Sequence, residues 1–262
     1  MAKRALCVGI NNYPGTDKDL SGCVNDAKAW SSLLVEHYDF TKSDVVVLLD
    51  KKATHSAMIT GLKRLLANAK RGDVLVFTNS SHGTYVADDN TDEPSYDEAL
   101  CPWDAKDNLL VDDELRELFG SIPTGVRFTV VLDSCFSGTG TRAPQDGPVR
   151  RPRFLPPARL GHRSINTRTA TRRSAPGAES KMRELLLAAC NEQQEASDAD
   201  FPEGAQGAFT YYALRALAAA HYRMSYATLL TKVRAALNAN EFRDQSPQLE
   251  GKAASKRRQA FT

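Results

Sequence analysis

Short apolar runs rich in β-branched residues, alternating with segments of helical period, constrain this chain more than any other feature. Residues 4–10 (RALCVGI), 45–49 (VVVLL) and 74–78 (VLVFT) each read as a buried strand. Between the first two, residues 20–26 lead into a helix running to about Tyr38, with Ala27, Trp30, Leu33 and Leu34 at helical spacing. Between the second and third, Thr54 can cap a helix that carries Met58, Ile59, Leu62, Leu65 and Leu66 on one face. This βαβαβ order predicts an α/β fold: a parallel sheet, helices on both faces, right-handed crossovers. A fourth strand is expected at 128–132 and a fifth at 184–190, with helices at 209–220 and 225–237. Residues 88–104 read as a polar, acidic loop. Asp112, Asp113 and Glu114 open a short helix at 115–119, where carboxylates suit the N-terminal end.

A chain of 262 residues, 42% hydrophobic, can bury a sizeable core as one large domain, 1–262, with a long insertion. Its net charge of +2 gives no case for nucleic acid, but the charge is unevenly spread. Between Arg142 and Arg183 there are eleven Lys and Arg against two acids, and the rest of the chain is near −7. This basic strap, about 141–183, is rich in Arg, Pro, Ser, Thr and Gly, so it is expected to be exposed and mobile. Aromatic interleaving of the kind that stacks on bases is missing from it. The five cysteines show no CxxC pair and no metal-finger spacing, and the opening apolar run is too short for a secretory leader. No stretch is long enough to span a membrane. These features lead to the expectation of a cytoplasmic protein with neither nucleic acid nor membrane as partner.

Two strands end in chemistry-bearing turns. Residues 74–78 run into Asn79-Ser80-Ser81-His82-Gly83, and 128–132 run into Asp133-Ser134-Cys135 and a Gly/Ser/Thr turn. Open α/β sheets place their sites at the carboxyl ends of strands. If the two strands are neighbours, Cys135 and His82 face each other. A thiolate is the nucleophilic form of cysteine, and a neutral imidazole is the usual base that generates it. Gly83 and the loop after Cys135 can present N–H groups to a developing oxyanion. Together these parts suit acyl transfer. The plainer alternatives are a buried core thiol and an ordinary loop histidine. His37, His55, His162 and His221 lie on expected helices or in the strap and are taken as structural or solvent-facing.

The chain resembles the metacaspases and their prokaryotic relatives, the orthocaspases, which are caspase-like cysteine peptidases. The resemblance is carried in order by ALCVGINNYPG, LSGCVNDA, TNSSHGT, YDEALCPWD with VDDEL, DSCFSGTG, LLLAACNEQQEA and GAFTYYAL. It implies the caspase-haemoglobinase fold, an α/β/α sandwich on a mostly parallel six-stranded sheet. It also implies that His82 and Cys135 are the catalytic dyad. Their separation of 53 residues is close to the roughly 50 that separates His from Cys in caspases. The family often has His after the catalytic Cys, where this chain has Phe136.

The same resemblance implies cleavage after Arg or Lys in protein or peptide substrates. A basic P1 side chain needs paired carboxylates, and the family's pocket positions map onto Asp26 and Asp133, with Ser80 beside the histidine. The plainer readings are a helix N-terminal carboxylate for Asp26 and a strand-end cap for Asp133. Because the strap lies where caspase-like enzymes carry an activation linker, it is expected to be self-cleaved. The candidate positions are Arg150, Arg151, Arg153, Arg172, Arg173, Lys181 and Arg183.

Calcium is the remaining implication. Many metacaspases bind an activating Ca²⁺ through four aspartates, and three matching positions are Asp97, Asp112 and Asp113. The fourth, seven residues after Cys135, is Arg142. A hard cation takes six to eight oxygens, and a guanidinium in the shell repels it. The expectation is therefore that no cofactor is required. Either the site is weak, or Asp88, Asp89 or Asp92 substitute, or Arg142 pairs with the aspartates in place of metal. Two other function classes remain: a non-catalytic caspase-like scaffold, against which the retention of both His82 and Cys135 weighs, and a cysteine phosphatase. The phosphatase needs Cys-x5-Arg, and six residues separate Cys135 from Arg142.

Overall fold

The computed structural model describes residues 1–88, 95–136, 150–162, 171–172, 182–191 and 194–262. Strand β1 (Lys3–Gly9) leads to helix α1 (Cys23–His37), β2 (Val45–Leu49), α2 (His55–Leu66) and β3 (Val74–Ser80). Thr54 caps α2 as its position suggests, its Oγ1 accepting from Ala57 N at 3.3 Å. Next come β4 (Gly83–Asp88), β5 (Ser95–Leu100), β6 (Leu110–Val111), α3 (Asp112–Gly120) and β7 (Arg127–Asp133). The chain continues through β8 (Arg150–Pro152), β9 (Thr171–Arg172), β10 (Glu184–Ala188), β11 (Ser197–Phe201) and β12 (Gly204–Gly207). It ends in α4 (Ala208–Ala219), α5 (Tyr226–Ala239), β13 (Gln248–Glu250) and α6 (Ala253–Lys256).

The central sheet has six strands in the order β13-β10-β7-β3-β1-β2. Every pairing in it is parallel except β10 with β13. Period-two alternation sends side chains of one strand to two different cores. In β1, Ala5 and Cys7 join a cluster with Trp30, Leu34, Phe209, Tyr226 and Leu229, so α1, α4 and α5 cover that face. Leu6 and Val8 join Met58, Leu62, Leu115 and Phe119, so α2 and α3 cover the other. The result is an α/β/α sandwich. All five cysteines are free and buried. Among the described residues no helix is long and apolar enough to cross a membrane.

Two expectations need correction. The acidic stretch 88–104 contains β5, which pairs antiparallel with β4 and β6 in a small second sheet. Its polar residues hid it, because Asp97 and Glu98 break any apolar alternation. The strap is also not free throughout. Residues 150–162 are folded against the body: β8 pairs with β11, Phe154 bridges to Gly83, and Leu155 is fully buried.

Candidate active site

β3 and β7 are adjacent and parallel, and Ser80 is the register partner of Asp133. Each strand then leaves the sheet in a turn. Asn79 ties the turns together, with its Nδ2 donating to Ser81 Oγ at 2.8 Å and Ser134 Oγ at 3.3 Å. His82 and Cys135 are thereby brought to one rim of the sheet.

The His82 ring is buried, and its Nε2 lies 2.6 Å from the Lys18 carbonyl oxygen. A carbonyl only accepts, so Nε2 carries the hydrogen and Nδ1 carries the lone pair. Among the described residues, the buried Nδ1 has no hydrogen-bond partner. Tyr13 braces the same residue: its ring packs on the imidazole at 4.8 Å, and its hydroxyl accepts the His82 N–H at 2.9 Å. Burial lowers the His82 pKa to about 4, so the imidazole is neutral near pH 7. The Cys135 sulfur meets the main chain of Ala196, donating to its carbonyl at 3.3 Å and accepting from its N–H. Neither ring nitrogen of His82 is hydrogen-bonded to that sulfur. Cys190 is a second thiol here. Its hydrogen bond to Cys135, followed by burial, pushes its pKa well up.

Arg153 enters this site from the strap. Its carbonyl oxygen accepts from Gly83 N at 2.9 Å and from Cys135 N at 3.1 Å. Its own N–H donates to Ala196 O at 2.9 Å, and Leu155 N donates to Gly83 O at 2.9 Å. The segment therefore lies in extended form across the two turns, with β8 added to the edge of β11. The following ring, Phe154, stacks on Tyr85 at 6.2 Å. Gly83 has to be glycine for this approach, because a Cβ there would overlap the Cys135 carbonyl.

The Arg153 side chain is wholly buried among three carboxylates. Its Nη2 lies 2.6 Å from Asp26 Oδ2 and 3.0 Å from Asp198 Oδ1, and its Nη1 lies 3.1 Å from Asp133 Oδ1. Burial opposes the charge on the guanidinium, but the carboxylates outweigh it and hold its pKa well above the usual value. Burial pushes Asp26 up to about 7, with help from the Asp133 charge and against the pull of Arg153. Three carboxylates exceed one guanidinium, and main-chain donors take up the remainder. Gly207 N donates to both oxygens of Asp26 at 3.1 Å. Thr210 donates to Asp133 Oδ2 through its N at 3.0 Å and its Oγ1 at 2.7 Å. These two residues open α4, whose first N–H groups have no partner within the helix. Asp198 accepts from Ser21 N at 2.8 Å and Gly22 N at 3.0 Å.

Asp26 and Asp133 thus meet on one cation. Ser80 is buried at the end of β3, where its carbonyl accepts from Ile10 N at 3.0 Å, and it is not among the polar partners of Arg153. Sequence reasoning missed Asp198, Gly207 and Thr210. The first had a faint signal in the acidic run Ser197-Asp198-Ala199-Asp200, while the other two lie in the GAFTYYAL segment.

None of the three aspartates considered for calcium is among the ion-pair partners of Arg153. Asp112 pairs with Arg116 at 2.7 Å, and Asp113 pairs with the same guanidinium. Asp97 stands opposite Val86 in β5. Among the described residues no group of three or more His, Cys, Asp or Glu side chains is gathered to hold an ion. With a guanidinium already on two of them, these residues do not fit a calcium shell as they stand. Asp89, Asp92 and Arg142 lie outside the described residues, as do Arg173 and Lys181 from the strap.

A family model described as the metacaspase, peptidase C14 domain matches residues 3–144. Metacaspase-8 of Arabidopsis thaliana is 38% identical over 146 residues, covering 53% of this chain and 38% of its own. Metacaspase-4 of the same plant is 41% identical over 146 residues, 53% of this chain and 34% of its own. Metacaspase-1 of Cryptococcus neoformans is 28% identical but covers 94% of this chain and 62% of its own. The chain thus spans between about a third and two fifths of the two plant relatives it matches. Among solved structures, protein GSU0716 of Geobacter sulfurreducens superposes with a TM-score of 0.77 at 25% identity, over 100% of this chain and 99% of that one. Caspase-1 of Spodoptera frugiperda, at 14% identity and TM-score 0.56, covers 95% of this chain and 86% of its own and shares the fold.

Proposed function

The chain belongs to the metacaspase family, and on that premise we propose that it is a cysteine endopeptidase that cuts after Arg or Lys and processes its own strap after Arg153. One observation carries this reading. The carbonyl of Arg153 is held by two converging N–H groups while its side chain fills a pocket of three carboxylates. That is the pose a peptide substrate needs, with a cation at P1 and the scissile bond between Arg153 and Phe154.

The chemistry follows from the parts. His82 Nδ1 takes the proton of the Cys135 thiol, since Nε2–H is fixed to Lys18. The sulfur bonds to the Arg153 carbonyl carbon, and the oxygen becomes an anion held by Gly83 N–H and Cys135 N–H. Collapse breaks the C–N bond, and the imidazolium gives its proton to the Phe154 nitrogen. Water, deprotonated by the same imidazole, then releases the thioester and restores the thiol. Before attack, the sulfur must exchange its bonds to Ala196 for a position under the carbonyl. No cofactor is needed for any step, and Arg116 does for Asp112 and Asp113 what a metal would otherwise do.

Incubating the wild type and Cys135→Ala side by side and sequencing new N-termini tests this. A fragment beginning at Phe154 in the wild type alone supports the reading. Equal fragments in both proteins, or no hydrolysis of any peptide with Arg at P1, would leave a non-catalytic caspase-like scaffold.

A further inference from the structure

β8 delivers more than Arg153. In its register with β11, Arg150 stands opposite Ala199, Arg151 opposite Asp198 and Pro152 opposite Ser197. Successive side chains of an extended segment point to opposite sides. Arg151 and Arg153 fall on one side, where Arg151 donates to Ser21 Oγ at 2.6 Å and Arg153 reaches Asp26. Arg150 falls on the other. There its guanidinium carbon lies 4.2 Å from the centroid of the Phe242 ring, and its Nη2 donates to Glu241 Oε2 at 3.1 Å.

Phe242 is a fixed platform. It is buried in the core, with the rings of Phe201 and Tyr212 each 6.0 Å away. Glu241 is 66% exposed, so water screens its ion pair and the ring supplies most of the attraction. A flat guanidinium stacks on such a face better than a compact ammonium does.

The geometry points to a second cation subsite, built from the Phe242 ring and the Glu241 carboxylate, that binds an arginine three residues before the cleaved bond's own arginine. It rests on the reading of His82 and Cys135 as a peptidase centre and narrows its substrates to chains basic at both P1 and P4. Arg150 is the occupant in the uncut protein, and a substrate side chain replaces it once the strap has left.

The test uses self-processed full-chain protein and fluorogenic peptides X-Arg-Pro-Arg, with X as Arg, citrulline, Ala or Glu. Arg at X is expected to raise kcat/KM about tenfold over Ala, with Glu no better than Ala. Citrulline, which keeps the shape without the charge, falls to the Ala value. Phe242→Leu, which keeps bulk without the π face, lowers the Arg-to-Ala ratio to about twofold, whereas Glu241→Gln changes it less. The citrulline arm needs no variant, so a folding defect cannot obscure it. If Arg, citrulline and Ala are cut within twofold of one another, the subsite is overturned while the peptidase reading stands. If no peptide with Arg at P1 is cut, both fall.

Discussion

Ser80 and Asp133 are register partners across β3 and β7, so His82 and Cys135 each stand two residues beyond the same rung. Equal offsets on parallel neighbours bring an imidazole and a thiol to one rim without any help from the helices. Gly83 N–H, one residue past His82, and Cys135 N–H converge there on one oxygen.

Displacing one of those donors should cost rate more than binding. A Cβ at Gly83 collides with the Cys135 carbonyl, so Gly83→Ala is expected to lower kcat by about 10²–10³, the loss typical of one oxyanion donor. His82→Ala should cost about 10²–10⁴ through the lost proton transfer. Steady-state kinetics on an Arg-P1 peptide checks both, and an unchanged kcat for Gly83→Ala would remove this oxygen site from the mechanism.

Arg153 fills the carboxylate pocket of the uncut chain. Labelling of Cys135 by an Arg chloromethylketone should therefore lag in fresh wild-type protein and follow the appearance of the Phe154 N-terminus. Arg153→Gln should yield no such N-terminus and label without a lag. Labelling of uncut wild type at the rate of the variant would mean that the strap does not block the site.

Asp198 holds the Arg153 guanidinium together with Asp26 and Asp133. A hydrogen bond to a charged group is worth about 1.5–3 kcal/mol, so Asp198→Asn should lower kcat/KM for Arg at P1 about ten- to a hundredfold. Gly207→Ala should act through KM, because its Cβ would intrude on Asp133 and Arg153. A P1 panel over Arg, Lys, citrulline and Ala reads both effects, and unaltered selectivity in Asp198→Asn would exclude it from the pocket.

The neutral, buried His82 sets a pH dependence. Its folded pKa, about 4, lies below the unfolded value of about 6.5, so the unfolded chain binds the extra proton between those limits. Stability from this group is complete above about pH 6.5 and is lost as pH falls to 4, by roughly 3 kcal/mol. Urea unfolding of Cys135→Ala across that window should show the loss, and adding His82→Gln should abolish that increment. Asp26 has the opposite sign, its contribution weakening as pH rises through about 7, but it is common to both proteins and cancels. Parallel pH curves would place His82 in water.

Self-processing should run at the same rate in chelator as in millimolar Ca²⁺, because Arg116 already pairs with Asp112 and Asp113. A rate that collapses in chelator and returns with Ca²⁺ would show that the shell is completed from elsewhere.

Five strands of the central sheet were legible because each is a short apolar run, and His82 and Cys135 because they sit at the ends of two of them; β13, the short half-buried run Gln248-Leu249-Glu250, carries no such signal and was not. β5 was not, since Asp97 and Glu98 give it the composition of a loop. Asp198 was out of reach for a different reason. Its partners Ser21 and Gly22 are 177 and 176 positions away, and no local pattern encodes that approach. The order in residues 150–162 was hidden because Arg and Pro there look solvent-bound until three carboxylates are placed around Arg153.

Strands β7 and β10 are hydrogen-bonded neighbours, yet the bond after Arg153 lies between them in the chain. Severing it leaves β7 on one polypeptide and β10, α4 and α5 on the other, still sharing a sheet and a core with α1. A nicked molecule should therefore migrate as two bands in detergent but emerge from a sizing column as one particle.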